Sequence, residues 1–248
     1  LRDAQPAELR MRFVTRALAA ALLLPLAAPA PARAQSRYTV GGAVAYADPL
    51  GEFGNNVSRG FGLDGFGTIG LDPTAIVSLR AELGYVQYAR KTQPFVANTG
   101  FGFLDLESET TSGVFTAGIG PQFTVRQGSM RPYLGGTIGV ARFATNTKIN
   151  VPARFSDTGQ TETLDEVTVS SDWVLSLAAV GGIGFEVPAL GRGVLIDVGA
   201  RWHRNGQARY VTSDGVQYDG STTPTITPTE SEADFIVYRL GIIVPIGK

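Results

Sequence analysis

The chain has no cysteine, a single histidine, and lysine only at positions 91, 148 and 248. Without thiols there is neither a disulfide framework nor a thiolate metal site. One histidine and no cysteine cannot assemble a metal cluster of the usual kind, so neither a metal nor a cofactor is expected. No dinucleotide fingerprint, phosphate-binding loop or His-Glu-x-x-His run occurs. Charged residues make up 17% of the chain, against about 25% in an average soluble protein. The formal net charge is −1. A nucleic-acid partner is therefore not expected, because the basic footprint is missing. Beyond the N-terminal region no apolar run approaches the roughly 20 residues of a membrane helix.

Glycine is what the chain does have, 31 residues of it, all beyond residue 34. The first 34 residues read differently. Residues 1–10 precede Met11 and are read as an upstream extension. Met11 to Arg16 is a short basic segment, Ala17 to Ala28 is rich in Ala and Leu, and Ala32-Arg33-Ala34 fits an A-x-A cleavage site. Pro25, Pro29 and Pro31 interrupt the apolar run, which is too short to span a membrane. Residues 11–34 are thus expected to be a secretory signal peptide, cut before Gln35. Removal of residues 1–34 takes away five arginines and two acids and moves the net charge to −4.

From Tyr38 onward apolar residues recur every second position, the period of a strand. Eight such stretches are expected: 37–46, 60–71, 76–90, 113–126, 132–145, 172–187, 194–204 and 234–246. One face of each is apolar, as in Val40, Val44, Leu63, Ile69, Leu79, Leu83, Ile119, Ile138, Leu175, Leu177, Val198, Leu240 and Ile242. The other face is small or charged and dense in glycine. A soluble sandwich would solvate that second face with Lys, Glu, Thr and Gln. Repeated glycine fits a narrow lumen that crowds the backbone. The connections alternate. Those at 72–74, 127–131 and 188–193 have tight-turn composition. Those at 47–59, 91–112, 146–171 and 205–233 are long and polar. The fold expected over residues 35–248 is all-β, an eight-stranded antiparallel up-and-down transmembrane β-barrel with short turns on the periplasmic side.

The charged residues of the second face form a candidate lumen network. Asp64, Glu82, Glu186 and Asp197 are its acids, and Arg80, Arg126, Arg201 and Arg239 its bases. A lumen of eight strands is filled by side chains, so four against four should pair as a structural plug. The sharper reading is a gate or an ion path. Tyr46, Tyr85, Tyr88, Tyr133, Phe143, Trp173, Phe185, Trp202 and Tyr210 lie near strand ends and are expected at the membrane interfaces. His203, near the top of the seventh strand, is expected at the lumen rim beside Arg201. In the fourth long connection, Asp214-Gly215 between short alternating runs is a type I′ hairpin signal, predicting a projecting ribbon.

Taken together, the signal peptide, the eight alternating strands, the short–long connections and the Arg/acid lumen resemble the small outer-membrane barrels of the OmpX and OmpA membrane-domain type. The Arg131-Pro132-Tyr133-Leu134-Gly135-Gly136 segment resembles a turn-to-strand entry of those barrels. The barrel-only, OmpX-like layout is the closer match. The chain departs from that family in ending Pro245-Ile246-Gly247-Lys248 rather than in an aromatic residue. The resemblance implies residence in the outer membrane, contact with its lipid and lipopolysaccharide, and delivery by the outer-membrane assembly machinery. It further implies a non-enzymatic, monomeric barrel whose long loops meet an extracellular ligand in adhesion or serve envelope integrity. A narrow gated channel or transporter is the alternative. A lipid A deacylase is a third reading, because that family carries His-x-Ser-Asn on a strand. Here Arg204 and Asn205 follow His203, the nucleophile position is empty of Ser, and the strand parity turns His203 inward.

Overall fold

A computed structural model describes residues 37–98, 103–151, 161–212, 215–217 and 225–246. The signal-peptide reading falls on residues outside these, as does Asp214. The period-two alternation becomes strands β1 (Tyr38–Pro49), β2 (Gly60–Gly70), β3 (Val77–Asn98), β4 (Phe103–Thr124), β5 (Met130–Val151), β6 (Glu162–Glu186), β7 (Leu195–Asn205) and β12 (Phe235–Ile246). They close into one antiparallel barrel in the order β1-β12-β7-β6-β5-β4-β3-β2. Each strand neighbours the strands next to it along the barrel, the arrangement expected from the sequence. Among the described residues no helix is long and apolar enough to cross a membrane.

The two faces separate as the parity requires. Leu63, Leu83, Ile138, Leu175 and Leu240 point outward and are each more than half exposed. So large an apolar exterior would aggregate in water, and it is what a lipid-facing wall needs. Arg80, Arg201, Ser78, Thr68 and Asp197 on the inner face are buried. Tyr46 packs on Phe61 and Tyr238 at centroid distances of 5.2 and 6.3 Å, one sector of an upper aromatic belt.

Strand length is uneven around the ring. β1, β2, β7 and β12 have 11 or 12 residues, close to a single tilted membrane crossing. β3, β4 and β5 have 22 each and β6 has 25. Most of the polar segments expected as the second and third long loops are therefore strand. Thr/Ser runs support pairing as well as they support a loop: Thr110 meets Thr147 and Ser112 meets Thr145 through hydroxyls, each at 2.9 Å. The outer face of this extension is charged, with Arg90–Glu109 at 2.9 Å and Lys148–Glu166 at 3.2 Å.

Above the barrel ring the extension has two edges. The last β2 pairing to β3 is at Gln87, and the last β7 pairing to β6 is at Ser176. Both edges are blunted. β3 has a bulge at Tyr88 and Pro94 farther out, while β6 skips Val169 and Leu164 in its register with β5. Bulges and proline keep an exposed edge from recruiting another strand.

The first and fourth long connections turn inward over the mouth. The first holds a short helix, α1 (Gly51–Asn56). The fourth is a ribbon in which β8 (Gln207–Tyr210) pairs with β11 (Thr229–Glu232), and β9 (Val216–Gln217) with β10 (Thr225–Ile226). A ribbon is there as expected, but it folds over the mouth instead of projecting, and the chain does not reverse at Gly215. Tyr210 pairs across to Thr229, and the chain past Gly215 runs on into β9. The Gly215 N–H closes a local turn on the Thr212 carbonyl at 3.1 Å.

Candidate functional site

The lower half of the lumen is a polar plug. Arg201 crosses from β7 to donate from Nη2 to Asp64 Oδ1 on β2 at 2.8 Å, and its Nη1 lies 3.2 Å from Glu82 Oε2. Arg80 donates from Nε to the same Glu82 oxygen at 2.7 Å and from Nη1 to Gln122 Oε1 at 2.8 Å. Thr137 donates to Glu82 Oε1 at 2.8 Å. Arg239 lies 3.6 Å from Asp64 and 3.7 Å from Asp197, and donates to the Tyr133 hydroxyl at 2.7 Å. That hydroxyl in turn donates to Asp197 Oδ1 at 2.8 Å. The Phe66 ring lies beneath two of these cations, 3.8 Å from the Arg80 guanidinium and 5.5 Å from that of Arg239. Six buried charges, three of each sign, thus neutralise one another through planar guanidinium forks.

Glycine makes the space. A Cβ on Gly84 would lie 2.6 Å from Asp64 Oδ1 and 2.8 Å from Arg201 Nη2, and one on Gly199 would lie 2.6 Å from the Tyr133 hydroxyl. A methyl group at either position would push a buried ion pair apart. This is the lumen crowding expected from the glycine-rich face.

Two of the eight expected members sit elsewhere. Arg126 and Glu186 lie where their strands end at the short turns. Arg126 donates from Nε to the Ala75 carbonyl at 2.6 Å, and Glu186 accepts from Arg131 Nη2 at 2.6 Å. Parity placed both on the inner face, but Glu186 is the last residue of β6 and Arg126 lies two residues past the end of β4, where the wall no longer encloses a side chain. On the same turn side, Asp72 accepts from the Thr74 hydroxyl and from the backbone of Thr74 and Val77 at 3.0 and 2.8 Å. These bonds, the Thr74 hydroxyl first, hold the exposed Asp72 carboxyl down at about 2.

The upper half is an aromatic cap. Phe53 of α1 is buried edge-on against Tyr88, Phe143 and Tyr210 at 5.6, 5.7 and 4.9 Å. The Tyr210 hydroxyl meets Ser231 Oγ at 2.8 Å, which ties the ribbon to the cap. Tyr88, Tyr133, Phe143 and Tyr210 are accordingly lumen residues and not interface aromatics. Burial of both ring and hydroxyl partner costs less inside, where Asp197 and Ser231 await them, than at the wall. Tyr85, Trp173, Trp202 and Phe185 face outward as expected, and Tyr46 does so half-buried among neighbours.

His203 joins the two halves. It points inward, as its parity requires, but it is no rim residue: it is 2% exposed. Its ring stacks on Phe235 at 4.6 Å, and its Nδ1 is 3.1 Å from Ser176 Oγ. A small cavity beside it is lined by Glu82, Thr116, Gly118, Thr137 and Ser176. A serine and an acid thus stand near the histidine after all, brought there by β6 and β3 rather than by a local motif. All three side chains are buried. The ring is held by the Phe235 stack and one hydrogen bond at Nδ1, while its buried Nε2 has no hydrogen-bond partner among the described residues.

No curated protein matches the sequence. Among solved structures, Neisserial surface protein A is similar at 14% identity and a TM-score of 0.51, over 86% of this chain and 100% of that one. Ail, the attachment invasion locus protein of Yersinia pestis, is similar at 13% identity and a TM-score of 0.40, over 85% and 99%. OprG of Pseudomonas aeruginosa is similar at 13% identity and a TM-score of 0.40, over 85% and 96%. The likeness to Neisserial surface protein A concerns the fold alone. A family model described as the outer membrane protein beta-barrel domain matches residues 17–223. With the closed ring of eight strands, the apolar outer wall and the charge-filled lumen in place, the chain belongs to that outer-membrane β-barrel family.

Proposed function

We propose that this outer-membrane barrel is a non-enzymatic, non-conducting anchor that holds an extracellular β-platform for surface interaction. One observation carries the reading. The lumen is filled along its length, by the Arg/acid plug below and the Phe53 cap above, while β3–β6 run on for some ten residues, roughly 30 Å, past the point where the short strands end. Material spent on closing the pore and lengthening the outside serves contact better than transport. The blunted edges support contact through the charged outer face, not through strand addition. Ring closure leaves no open strand edge within the membrane, which supports a monomer. The signal-peptide reading, with cleavage before Gln35, supplies the export route and belongs to this proposal.

Planar-bilayer recording and a binding assay test it together. Purified full chain should give little or no steady conductance. Cells displaying it should attach to host-cell monolayers, and a variant with the β3–β4 and β5–β6 hairpins shortened to the length of β2 and β7 should not. Large, stable single-channel currents would favour the gated channel and overturn the anchor. Equal attachment by the shortened variant would overturn the platform.

A further inference from the structure

Two arginines on the outer wall beside β6 have no carboxylate against them. Arg142 of β5 stands opposite Trp173, its guanidinium 5.6 Å from the indole centroid and its Nε donating to Ser171 Oγ at 3.0 Å. Arg204 of β7 stands opposite Leu177 and is exposed. Other exposed arginines of the upper side are matched: Arg59 by Asp48 at 3.0 Å, Arg90 by Glu109 at 2.9 Å and Arg209 by Glu230 at 3.5 Å. Among the described residues neither Arg142 nor Arg204 forms an ion pair. Between them on β6, the wall residues Trp173, Leu175 and Leu177 are all exposed.

This placement is unusual for a cation. A charged side chain on a lipid-facing wall is destabilising unless it lies at the interface and meets a counter-charge there. Trp173 fixes the level, since an exposed indole prefers the headgroup region. A guanidinium at that level can grip a phosphate with two parallel hydrogen bonds, which a carboxylate-free surrounding leaves available. From strand spacing and rise, the two Cα atoms are roughly 16 Å apart, two strand spacings across and four residues along. A lipid with one phosphate can satisfy one arginine. A headgroup with a phosphate at each end can engage both while its acyl chains descend over Leu175 and Leu177.

We infer that the β5–β6–β7 wall is a binding site for the phosphorylated, multiply acylated glycolipid of the outer leaflet. Arg142 and Arg204 take its phosphates, and Trp173, Leu175 and Leu177 take its chains. The inference rests on residence in the outer membrane and is independent of what the β-platform contacts.

The test uses the full chain in zwitterionic phosphatidylcholine bilayers doped with bis-phosphorylated lipid A, with phosphatidylglycerol, or with neither but with inorganic phosphate in the buffer. Native mass spectrometry reads the lipid retained per barrel. Lipid A should be retained in preference to phosphatidylglycerol, and inorganic phosphate should leave no adduct. Each of R142A and R204A should cut retention about fivefold and the double variant roughly thirtyfold, at about one kcal/mol per interfacial arginine. Heat-modifiable gel migration checks that the variants fold. Raising the salt should strip lipid A from the wild-type barrel, a readout that needs no variant. Retention that ignores salt, or that the folded double variant keeps in full, overturns the site. Equal retention of phosphatidylglycerol and lipid A overturns the glycolipid assignment.

Discussion

The lower and upper halves of the lumen fill the same ring by different physics. Below, the filling is charged groups joined by directed bonds and ion pairs, such as Arg201 to Asp64 and Tyr133 to Asp197. All the residues involved come from barrel strands. Above, Phe53 meets Tyr88, Phe143 and Tyr210 edge to face, and two of the four rings come from connections between strands. The polar half tolerates no missing partner, because a lone charge is left without water or counter-ion. The aromatic half asks only for volume and shape, and it can relax when an atom is lost. A barrel sealed this way has a rigid floor and a lid that belongs to the loops.

Removing a charge should expose the difference most sharply. Arg201→Ala leaves Asp64 and Glu82 short of a cation and should cost about 3–5 kcal/mol in urea unfolding from lipid vesicles. A loss under 1 kcal/mol would mean that water reaches the site and that the plug is no plug. Phe53→Ala tests the other half. It should cost about 3 kcal/mol at most, the low end for a buried phenylalanine, since α1 can settle into the space. Phe53→Leu should recover most of that, whereas Arg201→Lys should recover little, because an ammonium cannot fork between Asp64 and Glu82. Equal rescue by the two conservative changes would erase the distinction between directed and space-filling halves.

The smallest effect concerns the short turn after β2 and depends on pH. The Asp72 carboxyl sits at about 2 in the fold, below the value of about 3.9 for a free aspartate. A depressed carboxyl contributes stability above its unfolded value and loses it as pH falls through its folded one. Wild type should therefore exceed D72N at neutral pH, and the gap should close between about pH 4 and pH 2. A gap that persists at pH 2 would show that Asp72 acts through shape and not through charge.

Much of this was legible before any coordinates. Strand parity alone turned Asp64, Arg80, Glu82, Asp197, Arg201 and Arg239 inward, and the structure brings those six together. Parity also carried information that strand-end position obscured. Tyr88, Tyr133 and Phe143 share the inner face with Glu82, Gln122 and Ala141, yet their place near strand ends suggests an interface belt. Gln122 and Thr137 could have been added to the network by the same rule. Phe53 could not, for it lies in a connection with no period to read.

Sequence by itself determined the ring of eight strands, the inward face of the six central charges and the sites of the short turns. Those follow from local rules: alternation of side chains along a strand, and the few residue types that close a tight turn. Only the tertiary structure decided which arginine meets which acid, that β3–β6 continue as strands through Thr/Ser-rich stretches, that Ser176 lies against His203, and that the lid is Phe53. Partners in these contacts stand far apart in the chain, 137 residues for Arg201 and Asp64. Their meeting is set by how the ring closes and by how far each strand finds a neighbour to pair with, and neither quantity is written in any local window.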